Sequence, residues 1–267
     1  MQLFSHRGFL QGTIGLVALL LLLGLGGCTL TQAINKTYAV EMYDYYFDPP
    51  GLFLQPGDRV IWVLVEDVTT AGHSATTYHP TQDKELRIPQ NATVWNSGLL
   101  HLSDETFEQR FDVPGVYDYF CIPHETDGMV GRLIVKEASG PGSKPLSEGV
   151  SPAAQSAMPA LEELMGPTGH IFNLQAEINY VVLRVRQGNN SSALNLLDQL
   201  VKDLQSRLDK AGGLFKRLKQ LGFESPLQSS FGELRSLIVS EAPLWAVSDK
   251  AQELKRLLNE VARKLRE

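Results

Sequence analysis

Cys121, His124 and Met129 stand within nine positions in "YDYFCIPHETDGMVGRLIV" (117–135), with the spacing C-x2-H-x4-M. A thiolate, an imidazole and a thioether form a soft donor set that suits copper, whereas structural zinc is more often held by several cysteines. A fourth donor has to come from elsewhere. His73, in "TTAGHSATTYHP", lies upstream where a neighbouring loop would reach the same place. Each residue alone is ordinary, since Cys and Met pack in cores and His sits at surfaces. Their combination at this spacing, with a histidine upstream, is what points to a metal. His79 is an alternative ligand or a hydrogen-bond partner behind one, and a solvated loop histidine before Pro80 is its plainer reading. His101 reads as a surface residue. Glu125 and Asp127 lie inside the loop, where they would tune its charge or form a docking surface.

These donors need a scaffold. Residues 38–137 read as an all-β sandwich: "YAVEMYDYYF", "RVIWVLVE", "TFEQRFDV", "VYDYF" and "GRLIVK" are aromatic and β-branched runs. "DPPG", "QPGD" and "DVPG" punctuate them with turns. A strand ending at Cys121, a tight loop held by Pro123 and Gly128, and a strand returning from Val130 would turn all three loop donors to one end. Residues 138–152, "ASGPGSKPLSEGVSP" with its flanks, are rich in Ser, Gly and Pro and read as a linker. From 153 to 267 the period becomes helical. Ile171, Leu174, Ile178, Val181 and Val185 recur at three- and four-residue steps, as do Leu194, Leu197, Val201, Leu204 and Leu208, and then Leu254, Leu257, Val261 and Leu265. Breaks at "GPTG", "QGNN", "LGFESP" and "EAP" predict three to five helices in an antiparallel bundle, a second domain with its own core. Met158, Met165 and His170 carry soft donors here, but Pro159, Gly166 and Pro167 interrupt the stretch, so packing is their expected role.

Residues 1–28, "MQLFSHRGFLQGTIGLVALLLLLGLGGC", have a short polar start with Arg7, an apolar run from Ile14 to Leu25, and small residues before Cys28. That is an export signal. Its apolar run is short of the roughly 20 residues a membrane span requires. "LGGC" resembles a bacterial lipobox, which makes Cys28 the lipidated first residue of a mature lipoprotein. "SHRGFL" resembles the twin-arginine signal, with His6 in place of one arginine. The chain has two cysteines. With Cys28 carrying lipid, Cys121 has no intrachain partner in a compartment that favours disulfides, so it is buried and inert, reactive, or metal-bound.

At this point the residues resemble a family. "YDYFCIPHETDGMVGRLIV" is similar to the copper loop of small blue-copper proteins of the plastocyanin, pseudoazurin and halocyanin type, the cupredoxins, over about residues 38 to 136. The resemblance implies a Greek-key sandwich holding one type 1 copper through His73, Cys121, His124 and Met129. Two imidazoles and a thiolate make a trigonal site acceptable to both copper oxidation states, with a long methionine bond tuning the potential.

The expected function is therefore a membrane-tethered electron carrier that passes single electrons between redox partners in the periplasm or at the cell exterior. Its helical half would dock a partner or act as a spacer. The competing class is copper storage or delivery, against which the few methionines argue. Catalysis fits less well: no H-x-H of multicopper oxidases occurs, and the loop has no second cysteine for a dinuclear centre. With 24 Lys and Arg against 30 Asp and Glu, the chain offers no broad basic surface for nucleic acid.

Overall fold

The computed structural model describes residues 35–68, 71–209 and 214–267. The predicted sandwich is present. Its strands are β1 (Thr37–Tyr43), β2 (Tyr46–Asp48), β3 (Gly51–Leu54), β4 (Arg59–Leu64), β5 (Thr76–Thr77), β6 (Thr106–Arg110), β7 (Gly115–Phe120) and β8 (Val130–Val135). They form two sheets ordered β2-β1-β4-β6 and β3-β8-β7-β5. β1 pairs in parallel with β4, and β3 with β8, because the chain crosses between the sheets before returning. The run 38–47 is not one strand. It folds back at Asp44 and Tyr45, pairing Tyr43 with Tyr46 and Met42 with Phe47.

Alternation along β1 sends Tyr38, Val40 and Met42 into a core with Trp62, Tyr117, Tyr119, Cys121 and Leu133. A two-layer antiparallel sandwich usually leaves its outer faces wet. Here β7 and β8 are buried along their whole length and β1 along its centre, so something covers both sheets.

The second half supplies the cover. Its helices are α1 (Pro152–Ala157), α2 (Leu161–Met165), α3 (Pro167–Arg186), α4 (Asn190–Asp209), α5 (Leu214–Gln220), α6 (Glu224–Val239) and α7 (Leu244–Arg266). They break where glycine and proline predict: Gly166 and Pro167 separate α2 from α3, and Pro243 precedes α7. Ile171, Ile178, Leu197, Leu204, Leu254 and Val261 meet in a bundle core, as their periodicity requires. α3 has a second apolar side. Its Ala176 joins the sandwich core, and its Leu183 packs on Ala39 and Val63, the outward residues of β1 and β4.

The second sheet is covered by the Ser/Gly/Pro stretch and the two short helices after it. Phe120 and Val130 pack with Val150, Ala154 and Met158, while Val116 and Ile134 pack with Leu164 and Phe172. Composition alone reads residues 138–152 as a linker. In the structure their carbonyls have a fixed partner, because Arg87 donates to Gly142 O (3.0 Å) and Lys144 O (2.7 Å). Sandwich and bundle keep their own cores, and residues 35–267 form one compact unit. No helix of the described residues is long and apolar enough to cross a membrane. The expected export signal and Cys28 lie outside the described residues.

Candidate metal centre

Two connections meet at one end of the sandwich. Past β4 the chain returns to His73, which is fixed by reciprocal backbone bonds with Leu100: His73 N to Leu100 O at 2.9 Å and Leu100 N to His73 O at 2.8 Å. Cys121 is the first residue beyond β7, and the loop after it closes on itself. Cys121 N donates to Met129 O (3.0 Å), Met129 N to His124 O (3.0 Å) and His124 N to Cys121 O (3.1 Å). Gly128, at φ 93°, makes the reversal that a side chain would strain.

This folding brings three donors together. Cys121 Sγ lies 3.7 Å from His73 Nδ1 and 3.5 Å from His124 Nδ1, and the two Nδ1 atoms are 3.1 Å apart. His73 and Cys121 are buried at 1% and 0% exposure, while His124 is only partly buried. The side chain of Met129 is fully buried in the same core cluster as Cys121. Three of the four predicted ligands thus present donor atoms to one point, and the fourth is tied to them through the loop backbone.

The surroundings suit a bound metal. Ser74 N donates to Cys121 Sγ at 3.3 Å, and Ser74 Oγ accepts from Ile122 N at 2.9 Å, clamping the two connections together. Burial pushes the Cys121 thiol up to about 11, against the pull of the Ser74 N–H. In the metal-free protein it therefore keeps its proton near neutrality, and metal binding releases it. Burial, then the neighbouring charge of His124, pushes His73 below the usual histidine value, while Asp44 acts the other way. A neutral imidazole with a free Nδ1 is the ligand form. One sulfur and two imidazole nitrogens in a largely buried cluster fit copper, whose soft and borderline donors these are.

The other candidates are placed apart from this cluster. His79 caps a short 3-10 turn, Pro80–Gln82, with its Nδ1 2.9 Å from Thr81 Oγ1 and accepting from Thr81 N (3.2 Å). His101 is exposed, as expected. Glu125 does not offer a docking surface. It is 7% exposed, accepts from Tyr78 OH at 2.8 Å and pairs with Lys84, so its charge anchors the loop from beneath. Met158 packs in the apolar cover of the second sheet, and Met165 and His170 face outward.

Sequence reasoning missed Ser74, Asp44 and Tyr45. Ser74 adjoins His73 in "GHSA", but adjacency does not say that its amide meets a sulfur 47 residues away. Asp44 and Tyr45 were hidden inside what reads as an unbroken strand. Yet Asp44 Oδ1 lies 3.7 Å from His73 Nε2, and the Tyr45 ring stands edge-on to His124 at 5.0 Å between centroids.

Comparison with known proteins points to the same metal. The family model described as copper binding proteins, plastocyanin/azurin family, matches residues 35–136. A plastocyanin from a Synechococcus species is 32% identical over 135 residues, covering 44% of this chain and 89% of that protein. A halocyanin from Natronomonas pharaonis is 33% identical over 92 residues, covering 34% of this chain and 49% of that protein. Among solved structures, a pseudoazurin from Sinorhizobium aligns with a TM-score of 0.35 at 25% identity, covering 46% of this chain and 90% of that one.

Proposed function

This chain belongs to the plastocyanin/azurin family of copper-binding, electron-transferring proteins, and we propose that it is a membrane-tethered carrier of single electrons with one copper held by His73, Cys121, His124 and Met129. The observation that carries the reading is the convergence of Cys121 Sγ and two imidazole Nδ1 atoms at one end of the sandwich. Copper, when bound, supplies a one-electron couple between Cu(I) and Cu(II). The chain supplies rigidity. The closed backbone ring of 121–129, the Ser74 clamp and the anchoring of Glu125 hold the donors in one arrangement, so little has to move when the charge changes.

The site is closed on the side of His73 and opens toward the surface at His124. Around that imidazole, Ile122 and Tyr45 are 46% and 55% exposed, which gives a redox partner an apolar place to approach the ring edge. Electrons enter and leave there. The lipobox-like "LGGC" supports lipidation at Cys28, and a lipid would hold the carrier beside membrane-bound partners, raising their effective concentration in the periplasm or at the cell exterior.

The test is the visible and EPR spectrum of the Cu(II)-loaded protein beside the Cys121→Ser variant. An intense thiolate-to-copper band with narrow hyperfine splitting, lost in the variant, is expected. An ordinary copper spectrum indifferent to the substitution would contradict the reading. The tether is tested separately by Cys28→Ala, which should move the protein from the membrane fraction to the soluble exported fraction.

A further inference from the structure

The helical half brings no metal-binding cluster of its own among the described residues, yet it reaches the rings of the two histidines through the β1–β2 hairpin. The two tip residues of this hairpin face the two histidine ligands. Asp44 Oδ1 is 3.7 Å from His73 Nε2, a nitrogen that is buried and has no hydrogen-bond partner. Tyr45 meets the His124 ring edge-on, with an interplanar angle of 75°. Tyr45 also adopts φ 67°, the left-handed region that a side chain disfavours, so the tip is held in place by groups elsewhere.

Those groups belong to α7, with Asn179 of α3 beside them donating to Asp48 O at 2.9 Å. Gln252 Nε2 donates to Tyr43 OH at 2.7 Å, and Tyr43 OH donates to Glu41 Oε2 at 2.9 Å. One helical turn further, Lys255 Nζ donates to Glu41 Oε2 (2.6 Å), Asp48 Oδ2 (2.7 Å) and Asn179 Oδ1 (3.0 Å), using all three of its protons. Lys255 is 3% exposed. Burial alone would lower its pKa, but Glu41 and Asp48 outweigh that and raise it, so the ammonium stays charged. Glu41 lies on the first leg of the hairpin and Asp48 on the second, and Tyr43 and Tyr46 stack across its neck at 5.0 Å. Both legs are thus fastened to one face of one helix.

Resting on the reading of the site as a copper centre, we propose that α7 is a support of that centre. Lys255 and Gln252 are positioning residues that clamp the β1–β2 hairpin, so that Asp44 faces the buried imidazole and Tyr45 stays against the exposed one. A carboxylate beside the outer nitrogen of His73 favours the more positively charged, oxidised state of the ligand set. Asp44 is largely exposed, so solvent screens it and the effect is moderate. Loosening the clamp withdraws that charge and releases the ring that restrains His124.

The experiment measures two quantities in wild type, Asp44→Asn, Gln252→Leu and the charge-balanced pair Lys255→Met with Glu41→Gln. One is the reduction potential of the copper-loaded protein, and the other is amide exchange of residues 43–46 in the metal-free protein. Asp44→Asn should lower the relative affinity for oxidised copper about three- to tenfold, at about 59 mV per tenfold for one electron, raising the potential. The two clamp variants should shift it in the same direction by a smaller factor. Their exchange at 43–46 should speed up about tenfold or more while β7 and β8 stay protected. Asp44 and Gln252 have exposed or half-exposed side chains, so these variants decide the matter if the double variant does not fold. Faster exchange with an unmoved potential would overturn the coupling, and so would unchanged exchange. A wild-type protein without a blue copper spectrum would remove the underlying reading as well, whereas a blue wild type with unmoved variants would remove only the clamp.

Discussion

The outer face of the second sheet and the β1 part of the first are both covered and both fastened by a buried charge, but the charges are opposite. On the second sheet one carboxylate serves two cations: Asp118 accepts from Arg87 Nε at 2.6 Å and from Arg132 Nε and Nη2 at 2.7 and 2.9 Å. Of the remaining guanidinium donors, Arg87 Nη1 also reaches Glu85 Oε1 at 3.0 Å, and others reach backbone carbonyls of Gly142, Lys144, Pro145 and Pro159. On the first sheet one cation, Lys255, serves two carboxylates and an amide. Arginine suits the first task because its planar fork can grip a carboxylate and still offer protons sideways to peptide oxygens, while lysine can only point three protons from one atom. The Asp118 seam therefore binds down a segment of backbone. The Lys255 seam joins three side chains from separate elements, and one of those elements touches the metal pole.

The largest expected effect breaks the Asp118 seam. Asp118→Asn leaves buried Arg132 without its counter-charge and Arg87 with only the part-exposed Glu85, and should cost about 3–5 kcal/mol in denaturant unfolding. In the protein that remains folded, the copper spectrum should be unchanged, because this seam does not reach the ligands. Lys255→Met strips a charge from the other seam and should cost somewhat less, about 3 kcal/mol, since Asp48 is 24% exposed and can regain water. Unlike Asp118→Asn, it should also disturb the metal pole. Equal effects of both variants on the copper spectrum would erase the distinction between the seams.

A third outcome isolates the pole from both seams. In the folded metal-free protein the Cys121 thiol is raised from 9.0 to about 11 by burial, so the unfolded chain loses that proton first as pH rises. The folded state then holds more protons than the unfolded one, and stability falls between about pH 9 and 11, by about 3 kcal/mol at 1.36 kcal/mol per pKa unit. Stability curves of wild type and Cys121→Ala should diverge in that window and run parallel below it. The smallest effect concerns Ser151, whose Oγ caps α1 by accepting from Ala154 N at 3.1 Å and donates to Glu125 O in the ligand loop at 3.2 Å. Ser151→Ala should cost about 1 kcal/mol. Amide exchange should rise around Glu125 and leave the β1–β2 hairpin protected.

The cluster of His73, Cys121 and His124 was legible because its members are local or lie in recognisable strand context. Cys121, His124 and Met129 share one loop, and the periods of two and 3.6 separated sandwich from bundle. Proline and glycine marked the helix breaks for the same local reason. What could not be read was which layer faces which. The sequence of β1, "TYAVEMY", looks like a strand with polar Glu41 toward water, but that carboxylate is 5% exposed because Lys255, 214 residues away, lies over it. The stretch 138–152 has no apolar period because backbone carbonyls, held by Arg87, do the work of attachment there. Tyr45 was missed because the aromatic residues of "YDYYF" carry β propensity around a single Asp44, and the turn depends on a left-handed tyrosine where Gly or Asn would be the usual signal.

The most direct test of the central claim is a reversible redox titration of the copper-loaded protein, following the thiolate-to-copper band through reduction and reoxidation. A one-electron Nernstian curve that retraces itself with the copper retained is expected. A band that does not return, or copper released on reduction, would contradict an electron carrier.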